Sequence, residues 1–251
     1  MMNPFSLEGR TALVTGANTG LGQGIAIALA QAGADIVAVG RRTPAETEAA
    51  VLGLKRRLHF IAADLVSTAP IAGVVEETLG VMGRLDVLVN NAGVISRAAA
   101  LEVTEADWDR VLNVDLKSAF FLAQSAARRM AASGGGKIIN VVSMLSFQGG
   151  IRVPAYTAAK SGLAGITKAL ANEWAQQRIN VNAIAPGYFV TDNTQALRDD
   201  EIRSREIMAR IPAGRWGVPA DLGGAVVFLA SAASDYVHGA VIPVDGGWLA
   251  R

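Results

Sequence analysis

Short runs of aliphatic and β-branched residues recur along the chain, at 11–15, 35–39, 58–62, 85–89, 137–142, 179–184 and 241–244. Runs of this kind read as strands. Between them lie longer segments with helical patterning, at about 20–32, 68–82, 104–132, 155–177 and 219–232. Gly33 follows the first as a left-handed C-cap, and Thr104-Glu-Ala-Asp107 opens the third in the manner of a capping box. Strands that alternate with helices predict βαβ units. The expected fold is therefore α/β, a Rossmann-type, doubly wound, seven-stranded parallel sheet with helices on both faces. The rhythm breaks once, from Gly187 to Gly217, where a charged helical segment near 199–210 and Ile211-Pro-Ala-Gly-Arg-Trp-Gly217 replace a short connection. An excursion of that length predicts a functional lid, at about 188–217. No repeat, charge block or linker divides the remainder, so residues 1–251 read as a single domain.

Composition narrows the chemistry. With 251 residues, 51% hydrophobic and only 18% charged, neither disorder nor a coiled coil fits. The 23 Lys and Arg against 22 Asp and Glu are interspersed, which leaves no basic stripe for nucleic acid or an anionic membrane. The absence of Cys excludes a disulfide scaffold, a Cys–zinc site, a thiol nucleophile and an iron–sulfur cluster. The two His, His59 and His238, lie far apart without ligand spacing, so no metal is expected. The apolar stretch 222–234 is shorter than the roughly 18–20 residues of a spanning helix, and the N-terminus lacks a basic region followed by an apolar core. A cytoplasmic location is the expectation.

Thr15-Gly-Ala-Asn-Thr-Gly-Leu-Gly22 follows the first strand and opens the first helix. Glycines there permit a tight turn and let a pyrophosphate approach the free N–H groups and positive dipole end of the helix. The spacing is G-x-x-x-G-x-G and departs from the G-x-G-x-x-G dinucleotide fingerprint, so position in the βα rhythm carries the inference. The second strand ends in Gly40-Arg41-Arg42, where NAD sites place a carboxylate on the ribose 2′-hydroxyl. Two guanidinium groups suit a 2′-phosphate, which favours NADP(H) with NAD(H) as the alternative.

Tyr156-Thr-Ala-Ala-Lys160 sets a phenol and an ammonium four residues apart on one helix face, and Ser143 lies 13 residues upstream at a strand end. A phenol is a poor base near neutrality; a nearby cation favours its phenolate, and a hydroxyl can hydrogen-bond the same substrate oxygen. Together with Asn90-Asn-Ala-Gly93 after the fourth strand, these motifs make the chain resemble the short-chain dehydrogenase/reductase family from about Leu7 to its C-terminus.

That resemblance implies roles residue by residue. Thr15, Gly16, Asn18, Thr19, Gly20, Leu21 and Gly22 would form the cofactor turn, Arg41 and Arg42 the phosphate contact, and Asp64-Leu65 the adenine contact. Asn91-Ala92-Gly93 would form the floor under the adenosine ribose. Pro186, Gly187, Phe189 and Thr191 would orient the nicotinamide. Asn113, Ser143, Tyr156 and Lys160 would be the catalytic four, with Lys160 also on the nicotinamide ribose and Asn113 holding a water in a proton relay. The implied reaction is hydride transfer between a nicotinamide cofactor and an alcohol or carbonyl, and the implied assembly is a homotetramer.

Ser143–Pro154, Ala185-Pro-Gly-Tyr188 and the segment from Arg210 resemble the family's sugar-acid branch. This implies a small polyhydroxylated anion of the 2-deoxy-D-gluconate or 2-dehydro-3-deoxy-D-gluconate type. Arg97, Arg152 and Arg215 are candidate cations for its carboxylate, Gln148 a candidate donor to a hydroxyl, and Ser143 and Leu145 further contacts. A 3-oxoacyl-(acyl carrier protein) reductase or another carbonyl reductase is the enzymatic alternative, and an NADP(H)-sensing binding protein the non-enzymatic one.

Overall fold

The computed structural model describes residues 3–251. Along the chain it runs β1 (Thr11–Thr15), α1 (Gly20–Gln31), β2 (Asp35–Gly40), α2 (Ala45–Gly53), β3 (Leu58–Ala62), α3 (Ile71–Met82) and β4 (Val87–Asn90). There follow α4 (Glu105–Leu112), α5 (Ala119–Ala132), β5 (Gly136–Val141), α6 (Pro154–Trp174), β6 (Ile179–Pro186), α7 (Gln195–Asp199), α8 (Glu201–Arg210), α9 (Gly223–Ala230) and β7 (Val241–Val244). All strand pairs are parallel, in the order β3-β2-β1-β4-β5-β6-β7. The order reverses between β1 and β4, so their carboxyl ends diverge and leave the crevice in which ligands bind in doubly wound sheets.

Alternation along each strand builds a core on both faces of the sheet. On β1, Ala12 and Val14 pack with Ile25 and Leu29 of α1 and Val226 and Leu229 of α9. Leu13, between them, joins the opposite cluster with Val74 of α3, Leu122 of α5 and Leu170 of α6. Every residue of β1, β4 and β6 is buried, whereas β3 and β7 at the edges are partly exposed. The expected caps form: Gly33 has φ +110, and the Thr104 side chain accepts a hydrogen bond from the Asp107 amide.

Three features differ from the sequence reading. Helix α2 was not expected, because after Pro44 only Thr47 and Val51 are buried and no apolar stripe repeats. It braces the first turn all the same, since Thr47 Oγ1 donates to the Ala17 carbonyl at 2.7 Å. The ladder of β4 begins at Val87, because the Asp86 carboxylate caps the start of β1, accepting from the Thr11 amide at 2.9 Å. The single helix expected over 104–132 is α4 and α5 joined by a π-helical turn, Asn113–Ser118.

Near the reversal a buried polar chain ties the two layers together. Asn90 Nδ2 donates to Asn140 Oδ1 at 2.9 Å and to the Ala119 carbonyl at 3.1 Å. Asn140 Nδ2 donates in turn to Thr167 Oγ1 of α6 at 2.9 Å. Asn140→Leu would leave one Asn90 N–H and the acceptor side of the Thr167 hydroxyl without a partner, while their bonds to the Ala119 and Leu163 carbonyls remain. The variant should lose about 1–3 kcal/mol per stranded group in urea unfolding, with an unchanged m-value.

Candidate active site

The turn between β1 and α1 is made of backbone at close quarters. A Cβ on Gly22 would lie 2.1 Å from the Gly16 carbonyl oxygen, and Gly16 itself has φ +67. No side chain fits between turn and helix, so the start of α1 stays open. Its N-cap, Thr19, makes no side-chain capping hydrogen bond, and the amides of the first turn remain available to an anion. Thr15 lies behind this turn, buried, and is not part of the cavity wall. Its Oγ1 accepts from the amides of Asn91 and Ala92 at 3.0 and 2.9 Å, while Asn91 Nδ2 donates to the Thr15 carbonyl at 2.8 Å. Thr15 thus clamps β1 to the loop after β4.

A cavity of about 620 Å³ follows the carboxyl ends of the strands. Every other expected cofactor residue lines it: Gly16, Asn18, Thr19, Gly20, Leu21, Gly22, Arg41, Arg42, Asp64, Leu65, Asn91, Ala92, Gly93, Tyr156, Lys160, Pro186, Gly187, Phe189 and Thr191. At one end, β2 delivers Arg41 and Arg42, both exposed. At the other, β5 delivers Ser143 and α6 delivers Tyr156 and Lys160. The cradle therefore fits a dinucleotide phosphate on its own geometry: a bare helix N-terminus, glycine floor and two guanidinium groups in one cleft.

The catalytic end is tightly braced. Ser143 caps the short 3₁₀ turn 144–146, its Oγ accepting from the Leu145 amide at 3.2 Å. Ser146 Oγ in turn donates to the Lys160 carbonyl at 2.7 Å, tying this turn to α6. Lys160 Nζ donates to the Val141 carbonyl at 3.0 Å and stands 5.5 Å from the centre of the Tyr156 ring. Burial pushes the Tyr156 phenol above its ordinary range; Lys160, the Ser143 hydroxyl and Arg97 pull the other way, and Asp115 adds to the rise.

Asp115 was not singled out from the sequence. Asn113 was, and among the described residues the cavity wall does not include it. It is Asp115 that faces Lys160, with Oδ2 3.2 Å from Nζ and side chains 0% and 4% exposed respectively. Its Oδ1 accepts from the Val94 amide at 2.7 Å. Burial works to lower the Lys160 ammonium, yet Asp115 and Tyr156 outweigh it and hold the lysine above its usual value. A carboxylate set between Val114 and Leu116 was the available signal, since a buried charge needs a partner.

Of the expected substrate residues, Ser143 lines this wall and the others lie beyond it. Arg97 donates to the Asn193 carbonyl of the lid at 2.9 Å, and its charge acts on Tyr156. Gln148 Oε1 accepts from Trp248 Nε1 at 3.3 Å and Arg210 at 3.4 Å, which leaves its amide N–H groups to donate. Arg210 stacks on Trp248 at 4.0 Å, a lid cation not anticipated from the sequence. Leu145, whose side chain packs over Gly150, and Arg152, exposed with φ +65, are not brought to the cavity wall. Arg215 is held in a bidentate pair with Asp221 at 2.7 and 2.9 Å, and this pulls the Asp221 carboxyl down to about 2. The pair staples the end of the 188–217 segment to the residues that follow it.

Segment 188–217 closes on itself at its base, where the Val190 amide donates to the Gly217 carbonyl at 2.8 Å and the Gly217 amide to the Tyr188 carbonyl at 2.9 Å. Beneath it Tyr188 packs against Trp216 and Trp248, with centroids 5.4 and 4.8 Å away. No helix among the described residues is long and apolar enough to cross a membrane.

Comparison with known proteins places this architecture. Residues 16–249 match the family model described as enoyl-(acyl carrier protein) reductase. The chain is 59% identical, over the whole of both chains, to the 2-dehydro-3-deoxy-D-gluconate 5-dehydrogenase of Escherichia coli K12. A solved structure from Agrobacterium tumefaciens, provisionally assigned as a 2-deoxy-D-gluconate 3-dehydrogenase and holding NADP, superposes with a TM-score of 0.93 at 56% identity and full coverage of both chains. The gluconate 5-dehydrogenase of Burkholderia cenocepacia, in complex with NADP and tartrate, superposes with a TM-score of 0.93 at 38% identity, over 99% of this chain and 98% of that one. With its sheet order, its glycine turn and its Ser, Tyr and Lys held at one end of the cleft, the chain belongs to the short-chain dehydrogenase/reductase family.

Proposed function

We propose that the protein is an NADP(H)-dependent dehydrogenase that interconverts a secondary alcohol and a ketone on a small sugar acid of the 2-dehydro-3-deoxy-D-gluconate or 2-deoxy-D-gluconate type. One observation carries the reading: a single cleft joins an open helix N-terminus and two arginines at one end to Ser143, Tyr156 and Lys160 at the other. The relatives' names support the substrate class, and the NADP held by two of them supports the cofactor. Their small, oxygen-rich substrates and the tartrate of one relative favour a hydroxy-acid anion over an acyl thioester.

The nicotinamide cofactor, when bound, supplies or accepts the hydride. The chain's residues manage the oxygen and its proton. In the reducing direction Tyr156 donates its phenolic proton to the substrate oxygen while the Ser143 hydroxyl hydrogen-bonds the same atom; in the oxidising direction the phenolate takes the proton back. Lys160, charged and immobilised by Val141, supplies the cation that makes the phenolate reachable. Arg97, whose charge acts on Tyr156 and whose guanidinium reaches across to Asn193, is assigned to the carboxylate. Copies of the chain assemble as a homotetramer in this reading, supported by exposed Trp108 and Phe121 on the long α4–α5 run.

Three measurements test these assignments. Tyr156→Phe should lower kcat by at least ~100-fold on either sugar acid while NADP affinity stays within a few-fold, since the ring remains and only the transferable proton is lost. Full turnover in that variant would refute the acid–base role. Arg41→Ala/Arg42→Ala should weaken NADP by ~10–100-fold and leave NAD nearly unaffected, which titration of each nucleotide reads directly. Arg97→Met should raise KM for the sugar acid ~10-fold or more without changing NADP affinity; an unchanged KM would move the carboxylate contact elsewhere.

A further inference from the structure

Four groups that carry or can carry charge act on one another at the Ser143 end of the cleft. Tyr156 and Lys160 come from α6, Asp115 from the π-helical turn between α4 and α5, and Arg97 from the loop after β4. The carboxylate is built into this wall. It is fully buried, it is oriented by the Val94 amide, and its Oδ2 faces Lys160 Nζ at 3.2 Å with no hydrogen-bond donor of its own among the described residues. Room for it depends on Gly93, where a Cβ would lie 2.8 Å from that same Oδ2. A π-turn, a glycine and a loop amide are thus arranged around one carboxylate, and a buried charge is costly unless it is paired.

The consequence follows from charge. An ammonium beside a phenol draws the proton off it, whereas a carboxylate against that ammonium cancels much of the field the phenol feels. Resting on the reading of Tyr156 as the acid–base group, we propose that Asp115 is a positioning residue for proton transfer: it anchors the Lys160 ammonium in the wall, and its negative charge opposes ionisation of Tyr156. Tyr156 then stays a neutral phenol through the neutral range, ready to donate its proton to a carbonyl oxygen, and accepts a proton from a carbinol only as the pH becomes alkaline. Burial of the ring acts in the same direction, while Lys160 and Arg97 oppose it.

The sign of the effect sets the test. Asp115→Asn keeps the size of the side chain and the acceptor for Val94 but removes the charge, so Tyr156 should ionise more easily. The rising limb of kcat/KM for sugar-acid oxidation against pH should move to lower pH by about one unit or more, a tenfold change in the ionisation constant, with NADP affinity unchanged. Asp115→Glu, which restores the charge, should bring the limb back towards its original position. A folded Asp115→Asn protein whose limb does not move overturns the proposal. A second readout requires neither turnover nor an Asp115 variant. The chain has three Tyr, so the ultraviolet phenolate titration of the unsubstituted protein without added nucleotide, minus that of Tyr156→Phe, reports Tyr156 alone. The midpoint should be no lower than the ordinary phenol value of about 10, and a midpoint near neutrality would overturn the proposal. If Tyr156→Phe keeps its turnover, the acid–base reading itself has failed; if that variant is inactive and the limb stays fixed, only the role of Asp115 has.

Discussion

The site depends on backbone touching backbone where the sheet reverses. Gly22 sits so close over the Gly16 carbonyl that a single added carbon would lie far inside van der Waals contact with it, and Asn91 closes the junction by donating to the carbonyl of Thr15. This contact holds β1, α1 and the loop after β4 in one rigid unit. The amides of α1 then face the cleft uncapped, at a fixed height above the floor formed by Asn91, Ala92 and Gly93. A side chain at either glycine would part these elements, and the phosphate cradle would open with them. Thr15, expected to touch a cofactor, instead supports this junction from behind.

From that junction the polar groups run inwards in a graded way. Asn90, Asn140 and Thr167 carry hydrogen bonds between the two sheet strands and α6, with each donor satisfied. The next layer outward contains Lys160, held by a main-chain carbonyl and a carboxylate, and then Tyr156 and Ser143 at the cavity surface. Rigid, satisfied polar contacts beneath a reactive phenol keep its distance from Lys160 constant, which matters because the electrostatic effect of a charge in a poorly solvated wall depends steeply on separation. On the other side of the cleft the lid is braced differently. Aromatic packing of Tyr188, Trp216 and Trp248, the stacking of Arg210 and the bidentate Arg215–Asp221 pair hold the 188–217 segment in place, while Arg97 bridges from the loop after β4 to Asn193.

Much of this was legible in local sequence pattern. The strands are short buried runs, and burial on both faces makes them apolar wherever they lie, so each was located to within two residues at either end. The glycine turn and the arginines at the end of β2 were legible because their chemistry is local: free amides, a helix dipole and two guanidinium groups need no distant partner to be recognised. Helix α2 was not legible, because a two-turn helix that buries only Thr47 and Val51 carries no repeating stripe. Asp115 was missed for a different reason. A π-turn inserts an extra residue per turn, so counting by 3.6 along 104–132 cannot say which of Asn113 and Asp115 faces α6.

What the sequence determined by itself was therefore the architecture and the pairing of Tyr156 with Lys160 on one helix, since hydrophobic periodicity and the spacing of Tyr156 from Lys160 are properties of consecutive residues. Which arginine bridges to Asn193, which residue supports rather than lines the cleft, and which carboxylate stands against Lys160 were decided only by tertiary structure. Those contacts join residues from 45 to 96 positions apart, Asp115 to Lys160 and Arg97 to Asn193, and are set by packing between elements whose rotation about their own axes no local pattern encodes.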